Sequence, residues 1–246
     1  MMKDFKWISA MGRTAAMTPL MVLLLSGTAH AALTADQVWQ SWKGAAALAG
    51  LTVSAATEAR DGGSLMLNGI TVAPEGMPGL TISDMVLAEQ ADGSVLITPG
   101  ADIGFQTTGG AGDTAAMKLT HDGLTLTARD DAGALVYDYA AAAVNADFNA
   151  SYTATQLGDT APAGPATNVV KVAMDAVSGT YSDTPGMNRA FGMTLNASRL
   201  AYEVTTSDPG FPMKTSSTSD TADVALSLAV TMPQTVSLMA LQSAAE

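Results

Sequence analysis

From Leu51 onward the chain repeatedly alternates apolar and polar residues at every second position, and this pattern limits what it can fold into. The alternating runs are "SLMLNGITVA" (64–73), "LTISDMVLAE" (80–89), "SVLIT" (94–98), "MKLT" (117–120) and "LTLTAR" (124–129). "LVYDYAA", "VNADFNASYTA", "VVKVAM", "GTYS", "MTLNA", "LAYEVTT" and "ADVALSLAVTM" continue the series. Asp61-Gly62, Asp92-Gly93 and Asp122-Gly123 supply the left-handed backbone of tight turns, as does the stretch Asp130 to Gly133. Strands at regular spacing with no helix between them are joined antiparallel. The expected class is therefore mainly β, an antiparallel, twisted or curved sheet or sandwich of many short strands. "GDTAPAGPATN" (158–168) and "SDPGFPMKTSSTSDT" (207–221) interrupt the alternation and read as loops.

Two helices flank this β region in the sequence. Thr34 followed by Gln37 forms a capping box, Asp36 suits the positive end of a helix dipole, and Gly50 is a natural stop. Val38, Trp39, Trp42 and Ala46 then fall on one stripe of a helix from about Ala35 to Ala49, whose two tryptophans are expected to lie on the sheet. At the other end, "QTVSLMALQSAAE" after Pro233 has helical spacing and is expected to be the start of a C-terminal helix that a longer relative completes. The apolar side of the strands is lean, dominated by Ala and Met. It needs a cover, which a closed sandwich or the flanking helices would provide, and without one it is an accessible apolar groove.

Residues 1–31 read as a signal peptide. Lys3, Lys6 and Arg13 precede an apolar run from Ala15 to Leu25, too short for a bilayer span, and Ala29-His30-Ala31 has the small-x-small pattern cut before Ala32. The remaining 32–246 form a single β-rich domain, expected to be periplasmic and to have no stable membrane span once the leader is removed. The leader carries three of the 11 basic residues and one of the 23 acidic ones, so the rest is more acidic than the whole chain's −12. With no basic patch to neutralise phosphates, nucleic acid is not an expected partner. The chain has no Cys, which excludes thiol chemistry and disulfides. Beyond the leader it keeps a single histidine, so no structural zinc site can be assembled.

Few residues suggest chemistry. His121-Asp122 is the one place where a carboxylate adjoins a base, but neighbours on a strand face opposite ways and the T-H-D-G stretch reads as a turn. "TTGGAGDTA" (107–115) resembles a calcium nonapeptide, yet occurs once and has Asp113 one place early. Asp130-Asp131 reads as a solvated hairpin tip rather than a cation site. Glu58, Glu75, Glu89 and Glu203 lie far apart in sequence, and any two that met across strands would form a glycosidase-like carboxylate pair, the least favoured reading. No catalytic, cofactor-binding or metal-binding residue is assigned, and no cofactor is expected.

The order of a leader, "LTADQVWQSWK", strands with "GSLMLNGITV" and "ADGSVLIT", "VSGTYS" and a closing "MPQTVSLMAL" resembles domain-of-unknown-function family 2125, exported proteins of alphaproteobacteria. The resemblance spans Ala32 to Glu246. It implies an N-terminal half of a longer protein, and it brings no catalytic residues. Together these features lead to the expectation of a non-enzymatic binding or scaffolding component of the cell envelope, with an unidentified envelope partner. The alternative is a carrier of lipid or another hydrophobic ligand in an apolar groove of the sheet. The leader predicts that protein recovered from the periplasm has an intact mass beginning at Ala32. Ala31→Asp is expected to block processing, with the uncut precursor visible on the same mass spectrum.

Overall fold

The computed structural model describes residues 32–74, 78–108, 113–155, 162–209 and 213–233. Helix α1 (Ala35–Leu48) starts where the capping box predicts. Gln37 N–H donates to Thr34 Oγ1 at 3.2 Å, and Thr34 N–H donates to Gln37 Oε1 at 2.8 Å. Gly50, with φ 73°, turns the chain into the sheet.

The strands are β1 (Leu51–Asp61), β2 (Ser64–Pro74), β3 (Leu80–Glu89), β4 (Val95–Pro99), β5 (Ile103–Thr108), β6 (Thr114–Asp122), β7 (Thr125–Asp131), β8 (Ala134–Thr155), β9 (Pro162–Thr184), β10 (Asn188–Asp208) and β11 (Met213–Pro233). All pairings are antiparallel and all belong to one sheet, so the class is mainly β as expected, in the form of a single sheet. β4 and β5 lie end to end along β3, and β6 and β7 lie end to end along β8. The sheet is thus a meander in sequence order, with two of its rungs each split in two.

The splits belong to a seam that crosses every strand. On β2, Leu65 and Leu67 face the core and so does Ile70, three residues on; on β3, Met85 and Leu87 share that face with Ile82. β8 repeats the step with Ala141 and Val144, and β9 with Val177 and Met174. A regular strand puts residues three apart on opposite faces, so the chain must rotate locally to keep both inside. Left-handed residues sit at these steps: Gly69 (φ 60°), Gly123 (φ 64°), Ala176 (φ 48°) and Asp223 (φ 52°). At the split rungs, Gly100 N–H donates to the Asp84 carbonyl at 2.7 Å and Ser83 N–H to the Asp102 carbonyl at 3.0 Å.

The seam explains where the sequence reading departs from the structure. "LVYDYAA" and "VNADFNASYTA" are one 22-residue strand, "VVKVAM" and "GTYS" lie in one of 23, and "MTLNA" and "LAYEVTT" in one of 21. A step of three breaks the alternation, so a continuous strand reads as two. Asp122-Gly123 is correspondingly a strand break rather than a hairpin. Both segments read as loops are partly strand. β9 already begins at Pro162, and Met213 to Thr221 open β11, where Ser and Thr satisfy strand preference without an apolar face to bury. Pro233, expected to start a helix, is the last residue of β11 opposite Asn188, and 234–246 lie outside the described residues.

The seam also generates a stability test. The left-handed region costs an L-residue about 1–2 kcal/mol and costs glycine almost nothing. Ala176→Gly is therefore expected to raise stability by roughly 0.5–1 kcal/mol after the entropy of the unfolded glycine is subtracted. Gly69→Ala should do the reverse by about 1–2 kcal/mol, because its Cβ would also come within 3.0 Å of Ala56 Cβ. Urea denaturation of both variants reads the two signs.

Candidate functional site

Helix α1 covers one half of one sheet face. Val38 and Trp39 are fully buried against Leu65, Leu67, Met85, Leu87, Val95, Ile97, Ala128 and Tyr137. Polar contacts fix its orientation. Trp39 Nε1–H donates to Glu58 Oε1 at 2.8 Å, Lys43 Nζ reaches the same oxygen at 2.9 Å, and Trp42 Nε1–H donates to Tyr137 Oη at 2.8 Å. The helix N-terminus is held by Glu89, which accepts Ala35 N–H at 3.0 Å, and by the ion pair of Asp36 with Arg60. The hydrogen bond from Trp39, and then that from Lys43, hold the Glu58 carboxyl below its usual value. Burial pushes the Tyr137 hydroxyl far above its ordinary value.

Beyond α1 the same face continues without a helix over it, and at the seam it holds a small buried cluster of Ala141, Val144, Val177 and Ala197. Residues opposite one another share a face, so the register gives its rows. Tyr137, Tyr181, Met193 and Leu228 form one, and Tyr139, Gly179, Leu195 and Leu226 the next. Past the seam come His121, Val144, Met174 and Leu200, then Leu119, Ala146, Val172 and Tyr202, then Met117, Phe148, Val170 and Val204. The last three rows contain no formally charged side chain, with His121 counted neutral. Phe105 joins the furthest of them, its ring centroid 6.4 Å from that of Phe148. Exposure rises toward the edge of the sheet, where Leu226 and Leu228 are 52% and 53% exposed.

Away from α1, an ion pair of Asp183 with Arg189 also stands on this face. Asp183 lies opposite Phe191 and Leu135, and Arg189 grips it in a fork, with Nε at 2.7 Å from Oδ1 and Nη2 on Oδ2. The guanidinium also lies over the Phe191 ring, 5.1 Å from its centroid. The hydrogen bond to Asp183 raises Arg189 above its usual value, while burial and then the Asp183 charge raise Tyr181. Both charges are matched, so the pair makes this corner polar without leaving an unpaired ion.

The opposite face is built from charge. Lys118, Asp147, Lys171 and Glu203 stand in one cross-strand row of alternating sign. Arg199 bridges Asp175 at 3.5 Å and Asp220 at 2.8 Å. A shallow depression of about 700 Å³ lies there, lined by Asn145, Asp147, Lys171, Arg199 and Asp220 among others. Its charges answer one another across neighbouring strands, which makes it a solvated, self-neutralised surface.

The residues singled out from the sequence are not brought together. His121 is the penultimate residue of β6, where Leu124 N–H donates to its Nδ1 at 3.4 Å and its Nε2 meets the Gly100 carbonyl at 3.0 Å. This network assigns the Nε2–H tautomer and makes His121 a brace between the two split rungs. Asp130 accepts Gly133 N–H at 2.9 Å and shapes the β7–β8 turn, and Asp131 lies 3.4 Å from Arg129. Asp113 accepts Thr153 N–H at 2.9 Å. Glu58 and Glu89 tie down α1, Glu203 belongs to the charged face, and Glu75 lies outside the described residues. No group of three His, Cys, Asp or Glu able to hold a metal ion occurs among the described residues. Ala29 and Ala31 lie outside them as well. Ala32 is the first described residue, and Leu33 N–H donates to the Gly93 carbonyl at 2.9 Å. The Asp183–Arg189 pair and the charged row were missed, because each depends on a register that alternation alone does not set.

The depressed Glu58 value fixes the sign of an acid effect. Its contribution is present above the unfolded carboxyl value and is lost as pH falls through the lower folded value. Near-ultraviolet circular dichroism of Trp39 and Trp42 is expected to show α1 loosening below about pH 4. In Glu58→Gln the part of that step due to this carboxyl should vanish, since the amide oxygen still accepts the Trp39 bond. No helix among the described residues is long and apolar enough to cross a membrane. No family model, no curated protein and no solved structure matches the chain.

Proposed function

We propose that the chain is an exported, non-enzymatic binding protein of the cell envelope, and that the sheet face beyond α1 takes up a hydrophobic ligand such as a lipid acyl chain. The observation that carries this reading is the set of three uncharged rows past the seam, continuous with the core under α1 yet without a helix over them. At roughly 3.3 Å per residue the parts of β8, β9 and β10 past the seam run about 35–50 Å, long enough for an extended chain to lie along them. Ala, Val and Met offer an apolar bed with few bulky obstructions, and Met adapts to irregular shapes. The resemblance to exported proteins of family 2125 supports the compartment, and the acidic composition keeps such a protein in solution. The wider expectation of an envelope binding component thereby narrows to the carrier alternative.

Lipid mass spectrometry of the purified protein, joined to chemical denaturation with and without phospholipid, tests the proposal. At a ligand concentration near 100 times Kd the wild type should gain about 2.7 kcal/mol. Val172→Asn, in the middle of the uncovered face, should fold and lose most of that gain. Leu126→Ala, beneath α1, should cost about 2–5 kcal/mol with or without lipid. Leu124→Ala, at the boundary between covered and uncovered halves, should cost less than about 2 kcal/mol in the empty protein. Absence of co-purified lipid together with an unchanged midpoint would rule the carrier out.

A further inference from the structure

The two edges of the sheet are built differently. β1 is the first strand in the order, and α1 is fastened beside it through Glu58 and Arg60. Charged side chains and an adjacent helix are the usual guards of a strand edge. β11 is the last strand, and among the described residues it pairs only with β10. From Val224 to Thr231 it contains no charge, no proline and no glycine. Leu226, Leu228 and Val230 are exposed on the face that α1 occupies elsewhere, while Ala225, Ser227, Ala229 and Thr231 alternate with them.

We infer that β11 is a dimerisation edge, at which a second copy of this chain adds its own β11 antiparallel and continues the sheet across a two-fold axis at Leu228. An unpaired strand edge recruits another extended strand through its backbone groups, and a two-fold contact requires a segment that is complementary to itself. Centred on Leu228, the register places Leu226 opposite Val230 of the second copy, Ser227 opposite Ala229, and Ala225 opposite Thr231. Apolar side chains then meet apolar ones on one face, and small ones meet small ones on the other.

Charge selects the same register. The chain carries a net charge of −12, so two copies repel in general. Asp220 and Asp223 are the acidic residues of β11, and both lie outside the stretch from Ala225 to Thr231. Sliding the axis toward the start of the strand would bring these carboxylates of the two copies toward one another. Pairing at Leu228 also joins the uncovered apolar faces of the two copies into one surface, with the half-exposed leucines at its centre.

Analytical ultracentrifugation of the purified protein should give twice the chain mass at micromolar concentration, and substitutions at the axis give a specific signature. In Leu228→Lys, like charges face each other across the axis, and the doubled mass should be lost. Leu228→Asp should behave in the same way. An equimolar mixture of the two should regain it, because Lys and Asp then lie opposite each other. Leu228 is exposed in the single chain, so both variants should keep the wild-type circular dichroism. The absence of Cys allows a second measurement that does not depend on folding of the charged variants. Leu228→Cys should cross-link to a dimer under mild oxidation by diamide, whereas Leu48→Cys, equally exposed at 53% but on α1 near the opposite edge of the sheet, should not. A wild type of single-chain mass throughout the range, a mixture that stays monomeric, or equal cross-linking at the two positions overturns the inference.

Discussion

The burial of Trp39 and the attachment of Trp42 to Tyr137 are the interactions on which the remaining structure depends. A single sheet has two faces and can solvate only one of them cheaply, so the apolar one needs a partner. Among the described residues α1 is the only helix, and it is 14 residues long against strands of more than 20. It therefore closes a core over β1 to β4, β7 and the start of β8, with Tyr181 of β9 packed at its margin. Its polar contacts all lead to that same half, through Glu58, Arg60, Glu89 and Tyr137. The fully buried leucines and isoleucines gather under it, while beyond it a second, smaller buried cluster of Ala141, Val144, Val177 and Ala197 sits at the seam and most side chains further on are half-buried. The sheet has one consolidated half and one open half because one short helix is all that covers it.

The seam lets such long strands keep a single apolar side. Each long strand changes its alternation once, through a step of three, and neighbouring strands do so at matching positions. A mismatch on any one strand would turn its apolar residues toward the charged face from that point on. Glycine makes the change at Gly69 and Gly123 with little strain. Ala176 and Asp223 make it at some energetic cost, held there by regular pairing on both sides. His121 has its role at the same line. It joins the Gly100 carbonyl to the Leu124 amide where the split rungs would otherwise leave backbone groups unpaired.

The legible parts of this fold are those written in local chemistry. Thr34 and Gln37 declare the start of α1, Asp61-Gly62 declares a hairpin, and the limits of β3 coincide with the run from Leu80 to Glu89. The length of the later strands is not local in this way. A step of three between Ala141 and Val144 looks like an ending, and only pairing with β9 shows that the strand continues. Polar β11 fails to announce itself for a related reason. With one side chain neighbour in the sheet and solvent beyond, its first half has nothing to bury, so Ser and Thr replace the alternation that marks other strands. The apolar face was legible as lean and in need of a cover, but which half would be covered depends on where α1 docks.

The division of labour between the two faces bears on what such a sheet can do. Lys118, Asp147, Lys171 and Glu203 offset one another across strands, and the acidic excess lies outside that row. Charge is thus concentrated on a face and in turns that take no part in apolar contact. On the other face the three rows past the seam carry no formal charge, and beyond the reach of α1 the ion pair of Asp183 with Arg189 is closed on itself on the other side of the seam. Substitutions on the two faces should accordingly have separable effects, charge reversals altering net charge and association, apolar truncations altering occupancy. A surface that is apolar, extended and set on a regular backbone binds by area and shape rather than by a few polar anchors. On the proposed reading, such a surface selects ligands by their length and hydrophobicity.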